Sequence, residues 1–313
     1  MSDTRSVPSR AQWRRRLALR RRNKVALVFS GGGPLGALQV GALRALFEQG
    51  VRPDLVVGTS VGALNATYIA FDPTASGVDR LERLWRGLEE RDLFPGGRFR
   101  ASWARMLARG NRVFDNTGLR RLATSRVGSA SFEDAQIPLA VVATDLETGA
   151  ERVFSSGPVI EPLLASSAMP GVYPPIEIDG RLYIDGGVSD NVPIAPAAAM
   201  GARTVYVMNA TGHRHLRRPL VRPIDYLLHS FSLARAQRLE HDRSFYSDKV
   251  DLVELPVGVL DFYVPFASLD YTGRLIDLGY EQTRSFLSRR TGLTATPVGD
   301  VQAVAPRRVG SSG

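Results

Sequence analysis

The chain has 313 residues, of which 44% are hydrophobic and 23% charged, so it is long enough to bury a large core. It contains no cysteine, which excludes a disulfide framework and thiolate metal sites. The sequence has no run of about 18 apolar residues to span a bilayer. The apolar stretch after the basic N-terminus stops at Gly31, too early for the core of an export signal. We therefore expect a cytoplasmic protein, or one attached peripherally to a membrane surface.

The net charge of +9 is concentrated in the first 24 residues, which carry nine basic side chains against the single acid Asp3. This segment therefore holds +8, and the rest of the chain holds +1. We expect residues 1–23 to form a basic, disordered arm, either simply solvated or bound to an anionic membrane surface. No nucleic-acid partner is expected, because Trp13 is the arm's single aromatic for stacking. The arginines expected at the membrane are Arg14, Arg15, Arg16, Arg20, Arg21 and Arg22.

After the arm, short apolar runs alternate with helical patterns. Residues 24–30 predict a buried strand, residues 31–36 a tight glycine loop, and residues 38–49 a helix that ends at Gly50. A second unit follows, with a strand over 54–58 and a helix over 61–71. Two such units in sequence predict a parallel sheet with helices on its faces. Further strands are predicted at 139–144, 152–155, 176–178, 182–184 and 204–209.

The remaining segments set the domain boundaries. An apolar stripe at helical spacing, with Leu81 and Trp85 among its members, predicts an amphipathic helix in ordinary core contact. Residues 93–114 mix Pro, Gly, aromatics and arginines without a period, which fits either a plain loop or a mobile cap. We expect one globular domain over 24–290 and a disordered tail over 291–313.

A candidate nucleophile lies between the second predicted strand and its helix. Residues 58–62 read Gly-Thr-Ser-Val-Gly, which fits the G-x-S-x-G turn that lifts a serine hydroxyl clear of the sheet. This turn is called a nucleophile elbow. We expect glycine at its positions 58 and 62, as Gly58 and Gly62, because neighbouring backbone leaves no room there for a side chain. The pattern indicates Ser60 as a nucleophile, and for the pentapeptide alone a packing turn is the alternative.

The glycine loop after the first strand offers backbone donors without side chains in the way. Gly31, Gly32 and Gly33 are placed to hold an oxyanion, although a packing turn is again the alternative. The spacing through Gly36 also fits a dinucleotide fingerprint, but Asp54 lies at the start of the second strand rather than at its carboxyl end. A Walker loop is excluded because no Gly-Lys-Ser/Thr follows.

The residues alone leave the catalytic base open. Ser60, Asp185 and a later histidine occur in the order of a Ser-Asp-His triad, so order does not exclude a triad esterase. The segment that begins at Asp185 reads equally well as a turn after a strand. All four histidines lie in contexts more typical of surface or structural side chains, namely His213, His215, His229 and His241.

Five short motifs stand out along the chain: Ser-Gly-Gly-Gly at 30–33, Gly-Thr-Ser-Val-Gly at 58–62, Val-Ala-Thr-Asp-Leu at 142–146, Ala-Ser-Ser-Ala-Met-Pro at 165–170 and Asp-Gly-Gly-Val at 185–188. In this order and spacing they resemble the patatin-like phospholipase family of bacterial type. The resemblance runs from about Lys24 to Asn209, and more faintly to Leu287.

This resemblance implies a three-layer α/β/α fold with a mainly parallel central sheet, and a lipid acyl hydrolase without a cofactor. It implies a Ser-Asp dyad in which Ser60 attacks the lipid ester and Asp185 is the base, with no histidine required. The D-G-G motif is then Asp185, Gly186 and Gly187. The oxyanion hole that the resemblance implies is formed by the N–H groups of Gly31, Gly32, Gly33 and Val61.

The chain departs from the family's pattern at one point. Members commonly carry a basic residue in the glycine loop, whereas Pro34 and Leu35 stand here, so that charge is absent. Asp185, Asp190 and Asn191 do not have the spacing of an EF-hand, and we expect no metal. Besides the triad esterase, the remaining alternative is a non-catalytic lipid-binding protein that has kept the pocket.

Overall fold

The computed structural model of the protein describes residues 24–93, 114–212, 223–262, 264–265 and 268–290. Four of the sequence-based predictions fall wholly or mostly outside the described residues. They are the basic arm, the loop or cap at 93–114, the C-terminal tail, and the pair His213 and His215.

Short runs rich in Val, Leu and Ile form the strands, as their preference for a pleated, buried surface predicts. The strands are β1 (Lys24–Phe29), β2 (Leu55–Thr59), β3 (Leu139–Asp145), β4 (Glu151–Phe154), β5 (Ile176–Ile178), β6 (Arg181–Asp185), β7 (Ala202–Met208) and β8 (Asp251–Glu254).

Helices connect most of these strands. They are α1 (Gly36–Glu48), α2 (Val61–Ala70), α3 (Ala75–Gly87), α4 (Glu90–Leu93), α5 (Thr117–Val127), α6 (Ile160–Ser166), α7 (Ile194–Ala199), α8 (Pro223–Tyr246) and α9 (Thr272–Arg290). Single 3-10 turns lie at Gly33–Leu35, Phe132–Asp134 and Gly186–Val188.

The described strands form one sheet, linked in the order β5-β6-β3-β2-β1-β7-β8, with β4 paired to β3 as well. Strands β3, β2, β1, β7 and β8 are parallel, whereas β4 and β6 pair antiparallel with β3, and β5 pairs antiparallel with β6. The predicted α/β fold with a mainly parallel central sheet is confirmed.

Two hydrophobic cores lie on opposite faces of this sheet. In the central strand β1, Leu27 and Phe29 belong to one core, whereas Ala26 and Val28 belong to the other, and all four are fully buried. The first core is completed by α1, α2, α3, α5, α6 and α9, and the second by α7 and α8. The result is the three-layer arrangement expected when a parallel sheet is buried on both faces.

Strands β2 and β6 meet end to end beside β3, and this meeting creates the site. Val142 pairs with Thr59 of β2 on one side and with β4 on the other. The next residue, Ala143, still pairs with β4, but its second partner is Asp185 of β6. Strand β6 therefore lies on the same side of β3 as β2, beyond the end of β2. The residue after β2, Ser60, is thereby brought next to Asp185.

Most predicted elements are present with ends that differ by no more than two residues, and the apolar stripe through Leu81 and Trp85 is buried as predicted. Helices α4, α5, α6 and α7 and strand β8 were not predicted. Strand β8 gave little signal because acids stand at both ends of its four residues. None of the helices in the described ranges is long and apolar enough to cross a membrane.

Candidate active site

Ser60 occupies a strained turn between β2 and α2. Its backbone has φ 56° and ψ −127°, a conformation that a residue with a side chain adopts at a cost of about 1–3 kcal/mol. The turn leaves Ser60 partly exposed, while Thr59 before it is fully buried. The Ser60 side chain thus stands on a sharp strand-to-helix turn, the geometry that a nucleophile elbow has.

The two glycines of the elbow are required by close backbone approach. A Cβ on Gly58 would collide with the Gly62 carbonyl group, and a Cβ on Gly62 would collide with the Phe29 and Ser30 carbonyls. Neither contact can be relieved by rotating a side chain, because the obstructing atoms are backbone. Neither position has room for a side chain in this structure.

Asp185 is the side chain that meets the Ser60 hydroxyl. The Ser60 Oγ donates to Asp185 Oδ2 at 2.6 Å, a short, charge-assisted hydrogen bond. The other oxygen, Oδ1, accepts the Gly187 N–H at 2.8 Å. The backbone of Asp185 is fixed as well, because its N–H donates to the Ala168 carbonyl at 3.0 Å and its carbonyl accepts the Thr144 hydroxyl at 3.0 Å.

The environment of Asp185 makes it a stronger base than a surface aspartate. Burial raises the pKa of its carboxyl above the ordinary value, because the ionised form loses water. The Ser60 hydrogen bond, the positive charge of Arg235 and the Gly187 N–H all act in the opposite direction and favour the ionised form. The Asp185 carboxylate is therefore held in place, and these interactions offset part of the cost of burying its charge. A general base needs both features.

Ser166 fixes the backbone of the turn that carries Ser60. The Ser60 N–H donates to Ser166 Oγ at 2.8 Å, and Ser166 Oγ donates to the Val142 carbonyl at 2.5 Å. Ser166 is fully buried at the end of α6. Its motif contributed to the family resemblance, but no role was predicted for this hydroxyl, because a serine among Ala, Ser and Met carries no sign of its partner.

The donors available to an oxyanion differ from the predicted set in one residue. The Gly31 N–H donates to the Asn191 carbonyl at 3.1 Å, so it ties the glycine loop to the segment after Asp185. Among the described residues, the N–H groups of Gly32, Gly33 and Val61 have no such acceptor, as expected at helix N-termini. Because the Gly31 N–H already donates to Asn191, it is not available to an oxyanion in this structure.

A buried polar network supports the glycine loop and was not predicted. Gln39 Nε2 donates to the carbonyls of Ser30 (2.8 Å) and Met208 (3.1 Å). Asn65 Nδ2 donates to Gln39 Oε1 at 2.9 Å, and Trp85 Nε1 donates to Asn65 Oδ1 at 2.9 Å. Trp85 thus fills the core, as the sequence indicated, and also orders the loop. A fully satisfied network of this kind fixes one loop geometry.

Leu35, which stands where the family commonly has a basic residue, is a core side chain and only 3% exposed. It therefore brings no charge to the site. A cation instead reaches the D-G-G turn from α8, where the Arg235 Nε donates to the Gly187 carbonyl at 2.6 Å. No sequence signal linked this arginine to the D-G-G turn.

Neither described histidine contacts the Ser60 and Asp185 pair. His241 is exposed on α8 and stacks on Phe245, with ring centroids 6.4 Å apart, and His229 lies half-buried on the same helix. The other two histidines lie outside the described ranges.

A second acid, Asp190, lies five residues after Asp185 and is 1% exposed. Its Oδ1 accepts the Val192 N–H at 3.1 Å, whereas its Oδ2 has no partner among the described residues. Burial, with the nearby charge of Glu151, raises the pKa of Asp190 to about 7. Within the described ranges, no group of three or more His, Cys, Asp or Glu side chains is arranged to hold a metal ion.

Fold and site together define a class: an α/β/α protein in which a serine on a nucleophile elbow is hydrogen-bonded to a buried carboxylate beside a glycine-rich loop. Residues 27–198, more than half of the chain, match the sequence profile of the family described as patatin-like phospholipase. The chain belongs to the patatin-like phospholipase family, and membership implies lipid acyl hydrolysis as the class of activity.

Individual relatives agree with this membership. The chain is 33% identical over 198 residues to a patatin-like phospholipase domain-containing protein of Caenorhabditis elegans, covering 58% of this chain and 13% of the relative. It is 33% identical over 189 residues to an uncharacterized NTE family protein of Mycobacterium bovis, covering 60% and 49%. The chain thus spans less than half of the length of these curated relatives.

One solved structure supports the fold. The crystal structure of VipD from Legionella pneumophila aligns with a TM-score of 0.50 and 16% sequence identity, covering 86% of this chain and 67% of that chain. At this identity the likeness bears on the fold alone.

Proposed function

We propose that the protein is a serine acyl-ester hydrolase that acts on lipids through a Ser60–Asp185 dyad and an acyl-enzyme intermediate. The observation that carries the proposal is the 2.6 Å hydrogen bond from Ser60 Oγ to Asp185 Oδ2, made at the strained elbow. A hydroxyl that already donates to a buried carboxylate can transfer its proton without a change of position.

In the first half of the proposed reaction, Ser60 Oγ attacks the ester carbonyl carbon while its proton passes to Asp185 Oδ2. The tetrahedral oxyanion lies at the N-termini of α1 and α2, where the N–H groups of Gly32, Gly33 and Val61 are unpaired among the described residues. Collapse of this intermediate breaks the bond to the alcohol, which takes the proton from Asp185. An acyl group is left on Ser60.

In the second half, Asp185 takes a proton from water as the water oxygen attacks the acyl carbonyl. The bond between the acyl carbon and Ser60 Oγ then breaks, and the proton returns to Ser60. The free acid leaves, and the dyad is back in its starting state. Because the base is used twice, its position has to be fixed, which the Gly187, Ala168 and Thr144 contacts provide.

The test is hydrolysis of a short p-nitrophenyl ester by the full chain and by Ser60→Ala. We expect Ser60→Ala to lose at least about 10³-fold in kcat/KM while remaining folded, since the side chain carries no core volume. A fluorophosphonate probe should label Ser60 alone. Ser125→Ala, at an exposed position on α5, is the matched control and should retain full activity.

Two outcomes would favour the alternatives. An inactive wild-type protein that still binds lipid vesicles would indicate the non-catalytic lipid-binding protein. Unchanged turnover by a folded Ser60→Ala variant would place the nucleophile elsewhere and overturn the proposal.

A further inference from the structure

Arg235 reaches the D-G-G turn from a helix remote in sequence. It lies half-buried on α8, 48 residues after Gly187, and its Nε donates to the Gly187 carbonyl at 2.6 Å. Gly187 in turn donates its N–H to Asp185 Oδ1. The guanidinium is thus two hydrogen bonds away from the carboxylate that meets Ser60.

Gly187 is shaped to receive this arginine. A Cβ at position 187 would lie 2.8 Å from Arg235 Nη2 and 2.8 Å from Asn191 Oδ1. The second glycine of the motif therefore leaves the space in which the guanidinium packs against the turn. Any larger residue would displace Arg235 from it.

Among the described residues, no acid takes up the charge of Arg235. The structure records no ion pair between Arg235 and any acid of the described ranges, whereas Arg238, three residues later on α8, binds Asp242 at 2.9 Å and Glu151 at 3.4 Å. In the part of the chain that the structure describes, Arg235 is also the charged group that favours the ionised form of Asp185 and so lowers its pKa. Its charge is therefore available to the dyad.

The other described groups in hydrogen-bond contact with Asp185 bring no competing charge. The turn between β2 and α2 presents the Ser60 hydroxyl, β3 presents the Thr144 hydroxyl, and the segment after α6 presents the Ala168 carbonyl. Asp145 at the end of β3 is paired with Arg181 at 2.9 Å. Asp190, in the same segment, faces Glu151, Arg238 and Asp242.

We propose that Arg235 is a positioning residue for the dyad: it clamps the D-G-G turn through Gly187 and supplies a positive charge that favours the carboxylate form of Asp185 beside Ser60. This inference rests on the proposed function of the pair. It also accounts for a glycine loop without a basic residue, because the charge is delivered from α8 on the Asp185 side. The hydrogen bond and the charge are separable roles of the same side chain.

The test measures kcat/KM for a p-nitrophenyl ester against pH in the full chain, in Arg235→Gln and in Arg235→Lys. Gln can still donate a hydrogen bond but has no charge. Lys keeps the charge but lacks the planar guanidinium group and its fixed set of N–H donors. We expect the acid limb of the Arg235→Gln profile to move to higher pH, because the base must be ionised to act. Its loss at the acid end should exceed its loss at the alkaline end by about tenfold or more, the effect of removing one opposite charge from a carboxylate.

In Arg235→Lys the acid limb of the pH profile should stay at the wild-type position, and kcat/KM should fall by a similar factor at every pH. The matched control is Arg243→Gln, on the same helix, whose charge is paired with Glu254; its profile should match the wild type in shape. Arg235→Met, of similar length, replaces Arg235→Gln if that variant does not fold.

The proposal is overturned if an uncharged Arg235 variant loses activity equally at all pH values, or loses none. The rate at which a fluorophosphonate labels Ser60, followed against pH, gives the same readout without turnover. A wild-type protein that neither hydrolyses esters nor labels at Ser60 would instead mean that the proposed function has failed.

Discussion

Two aspartates of one short segment are buried to nearly the same extent and are held in different ways. Asp185 is 4% exposed and both of its carboxylate oxygens accept hydrogen bonds, one from Ser60 and one from Gly187. Asp190 is 1% exposed, yet its Oδ2 has no partner among the described residues. Burial raises the pKa of both carboxyls. The cation that acts on Asp185 is Arg235, which has no ion pair with an acid of the described ranges. The cation that acts on Asp190 is Arg238, which is paired with Glu151 and Asp242.

Burial alone does not make a carboxylate a base. A buried carboxylate keeps its charge more readily when donors and a cation compensate for its lost water, and Asp185 has two donors and the charge of Arg235. Among the described residues Asp190 has one donor, the Val192 N–H, and a cation that is paired with other acids, so it is best accommodated as a neutral acid below about pH 7. Its backbone still matters, because the Thr59 hydroxyl donates to the Asp190 carbonyl at 2.9 Å and so links the two site loops.

The largest effect expected from this comparison is that of Asp185→Asn. The amide cannot take the Ser60 proton, so kcat/KM should fall by about 10³–10⁴-fold. The double variant of Asp185→Asn with Ser60→Ala should lose about as much activity as either single variant, because the two residues act as one unit. Ester hydrolysis by the single and double variants measures this.

The controls for that experiment are separate changes of His213, His215, His229 and His241 to Gln. Each should retain most of the wild-type activity. A folded histidine variant as inactive as Ser60→Ala would show that a triad operates and that Asp185 is not the sole base.

A smaller effect is expected from Ser166→Ala. The change removes the acceptor of the Ser60 N–H and leaves that group unpaired, at a cost of about 1–3 kcal/mol in the free energy of unfolding. Because the elbow is held less firmly, we expect a loss of about tenfold in kcat/KM. Ser166→Thr, which keeps the hydroxyl, should be closer to wild type in activity than Ser166→Ala; the reverse ranking would contradict a positioning role.

The smallest effect concerns Asp190 and appears in stability rather than in turnover. The folded pKa of Asp190 is raised to about 7 from an ordinary value in the unfolded chain. Between those two values the folded protein holds one proton more, so the free energy of unfolding falls as pH rises, by up to about 1.4 kcal/mol per pH unit. Asp190→Asn removes this proton and should flatten the decline.

Urea unfolding of wild type and Asp190→Asn at several values between about pH 5 and pH 7 measures the difference in slope. Asp248→Asn, at an exposed position, is the control and should run parallel to wild type. Parallel curves for Asp190→Asn and wild type would mean that Asp190 is ionised throughout.

Much of the fold could be predicted from the sequence, because apolar runs and glycine turns act locally. Ser60 could be found for the same reason, since its elbow needs Gly58 and Gly62 within two residues on either side. Asp185 was found only through the family resemblance, because its role depends on β6 ending where β2 ends. Register across a sheet leaves no local pattern in the sequence.

Contacts between distant segments could not be predicted. Arg235 lies in a helix with several arginines, and nothing local separates it from Arg238. The use of the Gly31 N–H depends on Asn191, which is 160 residues away, so a glycine loop looks the same whether its donors are free or engaged. Trp85 gave only its apolar signal, and its bond to Asn65 became visible once α2 and α3 were packed together.

The most direct test of the central claim is the rate at which a fluorophosphonate labels Ser60 in Asp185→Asn and Asp190→Asn, measured side by side near pH 6.5. The two variants remove one carboxylate each from the same segment, and the probe needs no lipid to bind. We expect labelling in Asp185→Asn to slow by at least about a hundredfold, while Asp190→Asn stays within about threefold of wild type, since its acid is already mostly neutral at that pH. Wild-type labelling in a folded Asp185→Asn protein would contradict the assignment of Asp185 as the base.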